Sequence, residues 1–215
     1  MSTSRLLKHN PKFGKEYTQS EVMTKYIDCV ENHTSLKRGC PVFNGASLFG
    51  DSFDEKLTQW YSHCINTMTK SPNTMHKFGS CGSLTSQDFA NLMVVLRPFI
   101  NEYFGEKYCN KLKLYQQFSV HYSTATDRKL DEHVDDSDIT INICLKNTFG
   151  SKSSTIHFNE SPDTLFSKSE SKPFGISLSR GDVLIHKGNR AHYVTDIGNN
   201  NEGERCNLIL WLKYC

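Results

Sequence analysis

The chain has 215 residues, and its 25 lysines and arginines against 23 aspartates and glutamates give a formal net charge of +2 at pH 7. This length suits one domain with one hydrophobic core, and so small a charge provides no argument for a nucleic-acid or membrane partner. The N-terminal sequence has no apolar secretion signal and no run approaches the roughly 18 apolar residues of a membrane span, so we expect an intracellular protein, cytoplasmic or nuclear.

The cysteines are also informative. No two of them have the Cys-x-x-Cys spacing typical of zinc and thioredoxin-like sites, although the chain contains eight, at positions 29, 40, 64, 81, 109, 144, 206 and 215. We therefore expect free thiols. In a reducing compartment the sequons at Asn32 and Asn159 would not be glycosylated.

The N-terminal region begins with a basic segment. Residues 1–17 show little hydrophobic periodicity, which predicts a loosely ordered arm. Apolar residues then recur at spacings of three and four between Val22 and Val30, which predicts a short helix. A short strand is predicted at 46–49.

Two longer helices follow. A capping box beginning at Ser52 and an apolar stripe predict a helix over 52–68. A second helix is predicted over about 86–104, where Pro98 should kink or split it, because proline lacks the N–H that bonds back one turn. Gly105 should end it.

Beyond residue 110 the hydrophobic period shifts towards two and β-branched residues become common. Six short strands are predicted, in KLYQQFSVHY, ITINICL, STIHF, DVLIHK, HYVTDI and CNLILWLKYC. Helices followed by strands favour an α+β fold in which a helical part, 1–110, packs on a strand-rich core, 111–215, within the same domain. The polar segment 146–176 is predicted to be a mobile connection.

A histidine and a carboxylate lie two residues apart just before the strand ITINICL. Side chains at i and i+2 of an extended segment point the same way, so His133 and Asp135 can reach one ion. Two histidines and one carboxylate are the ligand set of non-haem Fe(II) oxygenases. The second histidine remains open from the pattern alone, with candidates at His121, His157, His186 and His192.

These motifs together resemble the Fe(II)/2-oxoglutarate-dependent dioxygenases, in particular the prolyl-4-hydroxylase-like branch. The resemblance covers roughly residues 115–213. Val120 and Tyr122 resemble the V-x-Y strand of that family, and GDVLIHKGNRAH resembles its G-x-x-L-x-H-x-G-x-x-x-H segment. GERCNLILW is similar to its last strand, G-E-R-x-N-L-I-x-W. The fold implied is a double-stranded β-helix, or jelly roll, with N-terminal supporting helices.

The resemblance also implies roles for individual residues. It makes His192, not His186, the third ligand beside His133 and Asp135. Arg205 would hold the distal carboxylate of 2-oxoglutarate, since a guanidinium grips a carboxylate with two parallel hydrogen bonds. Further contacts to this cosubstrate are expected from Tyr122 and Asn207.

Other positions have two interpretations. His121 alternates away from Tyr122 and should face the opposite side of the sheet, whereas His157 should pack or lie at the rim, where it could contact substrate. The acidic residues around the metal pair are solvated turn residues or partners of the ligands: Asp131, Glu132, Asp136 and Asp138. The family's Gly-Gly before STIHF is absent here, where Ser151 follows Gly150, so the substrate contacts of that loop are not carried over.

The activity implied is hydroxylation of a C–H bond with Fe(II), 2-oxoglutarate and O2, giving succinate and CO2, with ascorbate as a further candidate cofactor. The expected substrate is a protein or peptide side chain, prolyl first. Two alternatives stand beside it. One is a nucleic-acid or small-molecule oxygenase, which a basic groove with aromatic residues would favour. The other is a catalytically silent jelly-roll binding module.

Overall fold

The computed structural model describes residues 6–7, 17–18, 39–50, 52–67, 84–105, 111–125, 127–149, 154–159, 173–197 and 202–215. The helices in these ranges are α1 (Gly45–Phe49), α2 (Phe53–Thr67) and α3 (Ser86–Phe104). The strands are β1 (Leu6–Leu7), β2 (Tyr17–Thr18), β3 (Val42–Asn44), β4 (Leu112–Ser123), β5 (Leu130–His133), β6 (Ile139–Asn147), β7 (Ile156–Phe158), β8 (Phe174–Ile176), β9 (Asp182–Lys187), β10 (His192–Val194) and β11 (Glu204–Tyr214).

Two antiparallel sheets form the body of the fold. The major sheet has the strand order β3-β9-β6-β11-β4 and the minor sheet has the order β5-β10-β7-β8, while β1 and β2 pair with each other. The two sheets share a buried apolar cluster that includes Tyr122 and Leu184 from the major sheet and Phe158 and Val194 from the minor one. The sheets therefore pack face to face, and the α+β jelly roll expected from the sequence is confirmed.

The central strands of the major sheet, β9, β6 and β11, are buried on both faces, because the helices cover the face that the minor sheet does not. Along β11 every residue from Arg205 to Leu212 is buried. One set of alternate side chains packs against the helices: Cys206, Leu208, Leu210 and Leu212. The other set lines a cavity between the sheets: Arg205, Asn207, Ile209 and Trp211. β6 follows the same rule, since its isoleucines pack under the helices while Thr140 and Asn142 face the cavity.

The helix ends differ partly from expectation. α3 runs unbroken through Pro98, so the alternative of a split helix is wrong, and it ends at Gly105, whose φ of 94° suits glycine and whose N–H bonds to Asn101 O. A capping box forms at its start between Thr85 and Asp88. The capping box predicted for α2 does not form, because the Ser52 hydroxyl has no hydrogen-bond partner.

The strand predicted at 46–49 is wrong. The strand lies earlier, in β3, and the chain enters helix α1 at Gly45, whose N–H bonds to Gly181 O at 3.0 Å. A Cβ at Gly45 would lie 2.2 Å from the Phe53 ring, so the close packing of α1 on α2 requires a glycine there. Phe49 is fully buried against Phe53, with the ring centroids 4.7 Å apart.

Three further expectations concern the segments outside the described residues, the cysteines and membrane-spanning helices. The helix predicted within 22–30 lies outside the described residues, as do Gly150, Ser151 and most of the polar segment 146–176. The five described cysteines are free thiols, as expected: Cys40, Cys64, Cys144, Cys206 and Cys215. Among the described residues, no helix is both long enough and apolar enough to cross a membrane.

Candidate metal centre

The fold brings together the three residues proposed as metal ligands. His133 ends β5, Asp135 follows two residues later, and His192 begins β10. β5 and β10 pair antiparallel, and their register places His192 directly opposite His133. Histidines 59 positions apart in the sequence thus become cross-strand neighbours, with ring centroids 4.3 Å apart.

The donor atoms of this triad are close enough to share one ion. Asp135 Oδ1 lies 3.7 Å from His133 Nε2 and 3.9 Å from His192 Nε2, and one ligand atom from each residue falls within 4.8 Å of the others. Neighbouring donors bound at right angles to one ion, each at about 2.1 Å, lie about 3 Å apart, so the three side chains would move together by roughly 1 to 2 Å around an ion. The residues fit an Fe(II) ion.

Backbone carbonyl groups fix the tautomers of both imidazoles. His133 Nδ1 lies 2.8 Å from Asp131 O, and His192 Nδ1 lies 2.9 Å from Arg190 O. A carbonyl oxygen only accepts, so Nδ1 carries the proton and Nε2 of the neutral ring has a lone pair for a metal. Burial lowers the pKa of His192 to about 3, which keeps the ring neutral at physiological pH.

His186 lies beside the triad and does not complete it. It is buried, and its Nδ1 bonds to Lys187 O at 2.9 Å. Its Nε2 is 3.8 Å from Asp135 Oδ2, whereas both triad imidazoles approach Oδ1. Burial lowers the pKa of His186 below its ordinary value, so it too is neutral. It packs edge-on against His192, with ring centroids 4.9 Å apart.

The other two candidate histidines are farther from the triad. His121 bonds to Glu204 Oε2 at 2.7 Å, in a polar cluster where Tyr61 and Lys146 also contact Glu204. It does not line the cavity, as the alternation with Tyr122 predicted. His157 stacks on Tyr193 with ring planes 10° apart, and it does not line the cavity either.

The cavity in front of the triad has a volume of about 500 Å³, including its open mouth. It extends along β11 to Arg205, one of the largest fully buried side chains among the described residues. The guanidinium lies over the Tyr122 ring at 4.7 Å and donates through Nη1 to Ser154 O, while its Nε has no hydrogen-bond partner. A buried cation with an unused donor suits a carboxylate ligand.

Tyr122 and Asn207, from which contacts to the cosubstrate are expected, also line the cavity. Burial raises the pKa of Tyr122 to about 12, so its phenol keeps a proton that it can donate. Burial lowers the pKa of Arg205 from its ordinary value, and the proximity of Tyr122 partly offsets this effect. Asn207 donates from Nδ2 to Asn142 Oδ1 at 2.6 Å.

The side-chain carboxylates of the acidic residues around the metal pair bond away from the triad. Their partners are Lys129 for Asp131, Asn159 for Glu132, Lys213 for Asp136 and the Tyr214 N–H for Asp138. The partner of Asp135 is instead Thr140, whose hydroxyl donates to Oδ2 at 2.6 Å. Thr140 and Asn142 were not predicted as site residues. The signal was their polarity at alternate positions of ITINICL, an otherwise apolar strand.

A jelly roll with two imidazoles and one carboxylate facing its cavity is the arrangement of the non-haem Fe(II) oxygenases. No family model matches the chain. Sequence comparison finds a relative in Arabidopsis thaliana, the 2-oxoglutarate and iron-dependent oxygenase domain-containing protein ICU11, which is 27% identical over 165 residues. The match covers 74% of this chain, and the chain spans about 40% of the length of that curated relative.

Solved structures share the fold. A Pseudomonas putida prolyl-4-hydroxylase superposes with a TM-score of 0.51 at 12% identity, covering 90% of this chain and 94% of that one. A Trichoplax adhaerens prolyl hydroxylase, solved in complex with a peptide fragment of the hypoxia inducible factor oxygen degradation domain, gives 0.53 at 12% identity and covers 91% of both chains. The relative's name indicates an oxygenase dependent on 2-oxoglutarate and iron, in agreement with the resemblance found in the sequence, and the solved structures show likeness of fold.

Proposed function

We propose that the chain is an Fe(II)- and 2-oxoglutarate-dependent hydroxylase that acts on a protein or peptide side chain, with a prolyl residue as the first candidate. The observation that carries this proposal is the layout of one cavity. A 2-His-1-Asp cluster lies at one end and a buried arginine with an unused donor lies towards the other.

Each residue in this layout has a separate task. His133, Asp135 and His192 would hold Fe(II) from one side. When bound, the metal supplies the activation of O2 that is coupled to conversion of 2-oxoglutarate into succinate and CO2. Arg205 binds the distal carboxylate of the cosubstrate with a planar fork, and Tyr122 donates a hydrogen bond beside it.

The wall of the cavity supports an apolar substrate group. Phe118 and Trp211 meet edge-to-face at 5.0 Å between ring centroids, and Ile209 packs with them. The β11–β6 register places Trp211 opposite Thr140, the residue that bonds to the metal-binding carboxylate, so this aromatic wall lies at the metal end. A prolyl ring would pack on such a surface and present a C–H bond to the metal.

The decisive experiment is incubation of the iron-loaded protein with a peptide library, 2-oxoglutarate and O2, followed by mass spectrometry. We expect a gain of one oxygen atom on a prolyl-containing peptide, with succinate formed in equal amount. The matched control is Asp135→Asn, which should produce neither. Succinate without a hydroxylated peptide would move the proposal to other substrates, and absence of both from the wild type would contradict it.

The two alternatives give different results in the same assay. An oxygenase for nucleic acid or small molecules would form succinate together with a hydroxylated product only when oligonucleotides or metabolites replace the peptides. A catalytically silent module would bind the metal without forming succinate. The intact triad and the buried Arg205 favour catalysis, because a silent module does not need both.

A further inference from the structure

We propose that Thr140 is a positioning residue that commits Asp135 to binding the metal through Oδ1 alone. This inference rests on the proposed metal site and adds a residue to it. It concerns how many positions on the metal remain available to the cosubstrate and O2.

The hydrogen-bond directions follow from the chemistry of the groups. The Asp135 carboxylate only accepts, so the single hydroxyl proton of Thr140 points at Oδ2, over 2.6 Å. The Ser137 hydroxyl lies 2.8 Å from Thr140 Oγ1, and because the proton of Thr140 is already used, Ser137 must be the donor. A hydrogen-bond relay therefore runs from Ser137 through Thr140 to Asp135. It ends on Oδ2, the carboxylate oxygen that faces away from the triad imidazoles.

The backbone around Asp135 is fixed independently. Its N–H bonds to Gly188 O at 2.9 Å, and the Gly188 N–H bonds to Asp138 O at 3.1 Å. A Cβ at Gly188 would lie 1.9 Å from Ser137 O, so the two loops approach as closely as glycine permits. These hydrogen bonds hold the backbone at both ends of the loop 135–138. The main motion that remains is rotation of the Asp135 carboxylate about its side-chain bonds, and the hydrogen bond from the Thr140 hydroxyl restricts that rotation.

The restriction matters because a carboxylate can bind a metal through one oxygen or two. A ligand set of two imidazoles and one carboxylate oxygen leaves three positions for the cosubstrate and O2. Without a donor on Oδ2, this oxygen is free to turn to the metal and take one of them. His186 cannot take the place of this donor, because its Nδ1 carries the proton and its Nε2, 3.8 Å from Oδ2, has only a lone pair to offer.

The test compares two substitutions at this buried strand position. Thr140→Val keeps the shape and removes the hydroxyl, whereas Thr140→Ser keeps the hydroxyl and removes the methyl group. Thr58→Val is the control, because it makes the same threonine-to-valine substitution on the exposed face of α2, away from the metal site. Mn(II) affinity is measured from the electron paramagnetic resonance signal of the free ion, and binding of nitric oxide to the anaerobic Fe(II)–2-oxoglutarate protein reports whether a position remains open.

We expect Thr140→Val to weaken Mn(II) binding by about ten- to a hundredfold, the usual effect of removing an outer hydrogen bond, and to reduce nitric oxide binding. Thr140→Ser should stay within roughly threefold of wild type, and Thr58→Val should not differ from it. If Thr140→Val does not fold, Ser137→Ala tests the relay from its other end, with a loss of roughly two- to tenfold expected.

The outcomes separate this inference from the proposed function. Wild-type affinity and nitric oxide binding in Thr140→Val would overturn the positioning role and leave the metal site intact. An equal loss in Thr140→Val and Thr140→Ser would also overturn it, because packing and not the hydroxyl would then be responsible. Failure of the wild type to bind Mn(II) or Fe(II) would instead overturn the proposed function.

Discussion

Replacing Arg205 by lysine tests the dependence on 2-oxoglutarate. Lysine keeps the positive charge but loses the planar fork and the stacking over Tyr122. A charged hydrogen-bonded contact contributes about 1.5 to 3 kcal/mol, so the Kd for 2-oxoglutarate should rise by roughly ten- to a hundredfold. Arg205→Ala should bind the cosubstrate still more weakly. Iron binding should persist in both variants, because the arginine is not a ligand.

The measurement is an anaerobic titration of 2-oxoglutarate into the Fe(II) protein, followed by the metal-to-ligand charge-transfer band. Arg180→Lys is the matched control, since Arg180 forks onto Asp54 at 3.1 and 2.9 Å on the helical side of the sheet, away from the cavity. Thermal unfolding of each variant separates lost binding from lost structure. The reasoning would be refuted if Arg205→Ala bound 2-oxoglutarate as tightly as the wild type, or if the wild type bound none.

Three further predictions concern the ligands, pH and the thiols. His192→Ala should abolish most Fe(II) binding whereas His186→Ala should retain it, as measured by metal titration; the reverse result would move the third ligand to His186. Burial alone would raise the pKa of Glu204, but hydrogen bonds from three neighbours outweigh it and lower the pKa from 4.5 to about 2. The stabilisation from these contacts is therefore present above about pH 4.5 and is lost as pH falls towards 2. Over this range the Tm of the wild type should fall more steeply than that of Glu204→Gln. Parallel curves of Tm against pH would contradict this account. Burial raises the pKa of Cys144 to about 12, so iodoacetamide should label the exposed Cys215 and spare Cys144 in the folded protein, as read by peptide mapping.

The sequence predicted the elements with strong periodicity. Both long helices and the strands β4, β6, β9 and β11 lie where their hydrophobic patterns placed them, because each buries a continuous apolar face. β5 and β8 were missed. β5 has the sequence LDEH, in which no side chain is fully buried, and β8 is only three residues long, so neither carries enough alternation to identify a strand.

The site was predictable only in part. The pairing of His133 with Asp135 follows from local geometry, since residues two apart in an extended segment share a face. The choice of His192 required the family resemblance, because nothing local shows that β10 will lie beside β5. Thr140 could not be assigned at all from sequence, since a polar residue in a buried strand has many potential partners and only the folded loop brings Asp135 to it.

The two-sided burial of β11 has a practical consequence for protein engineering. In a saturation library along this strand, even-numbered positions from Cys206 to Leu212 should govern how much folded protein accumulates in the cell, because they anchor the helices. Odd-numbered positions should act more on turnover than on abundance, because they line the cavity. Ile209 and Trp211 are then the places to vary when a different substrate is sought, since new side chains there alter the cavity wall without loosening the helical layer on the opposite face.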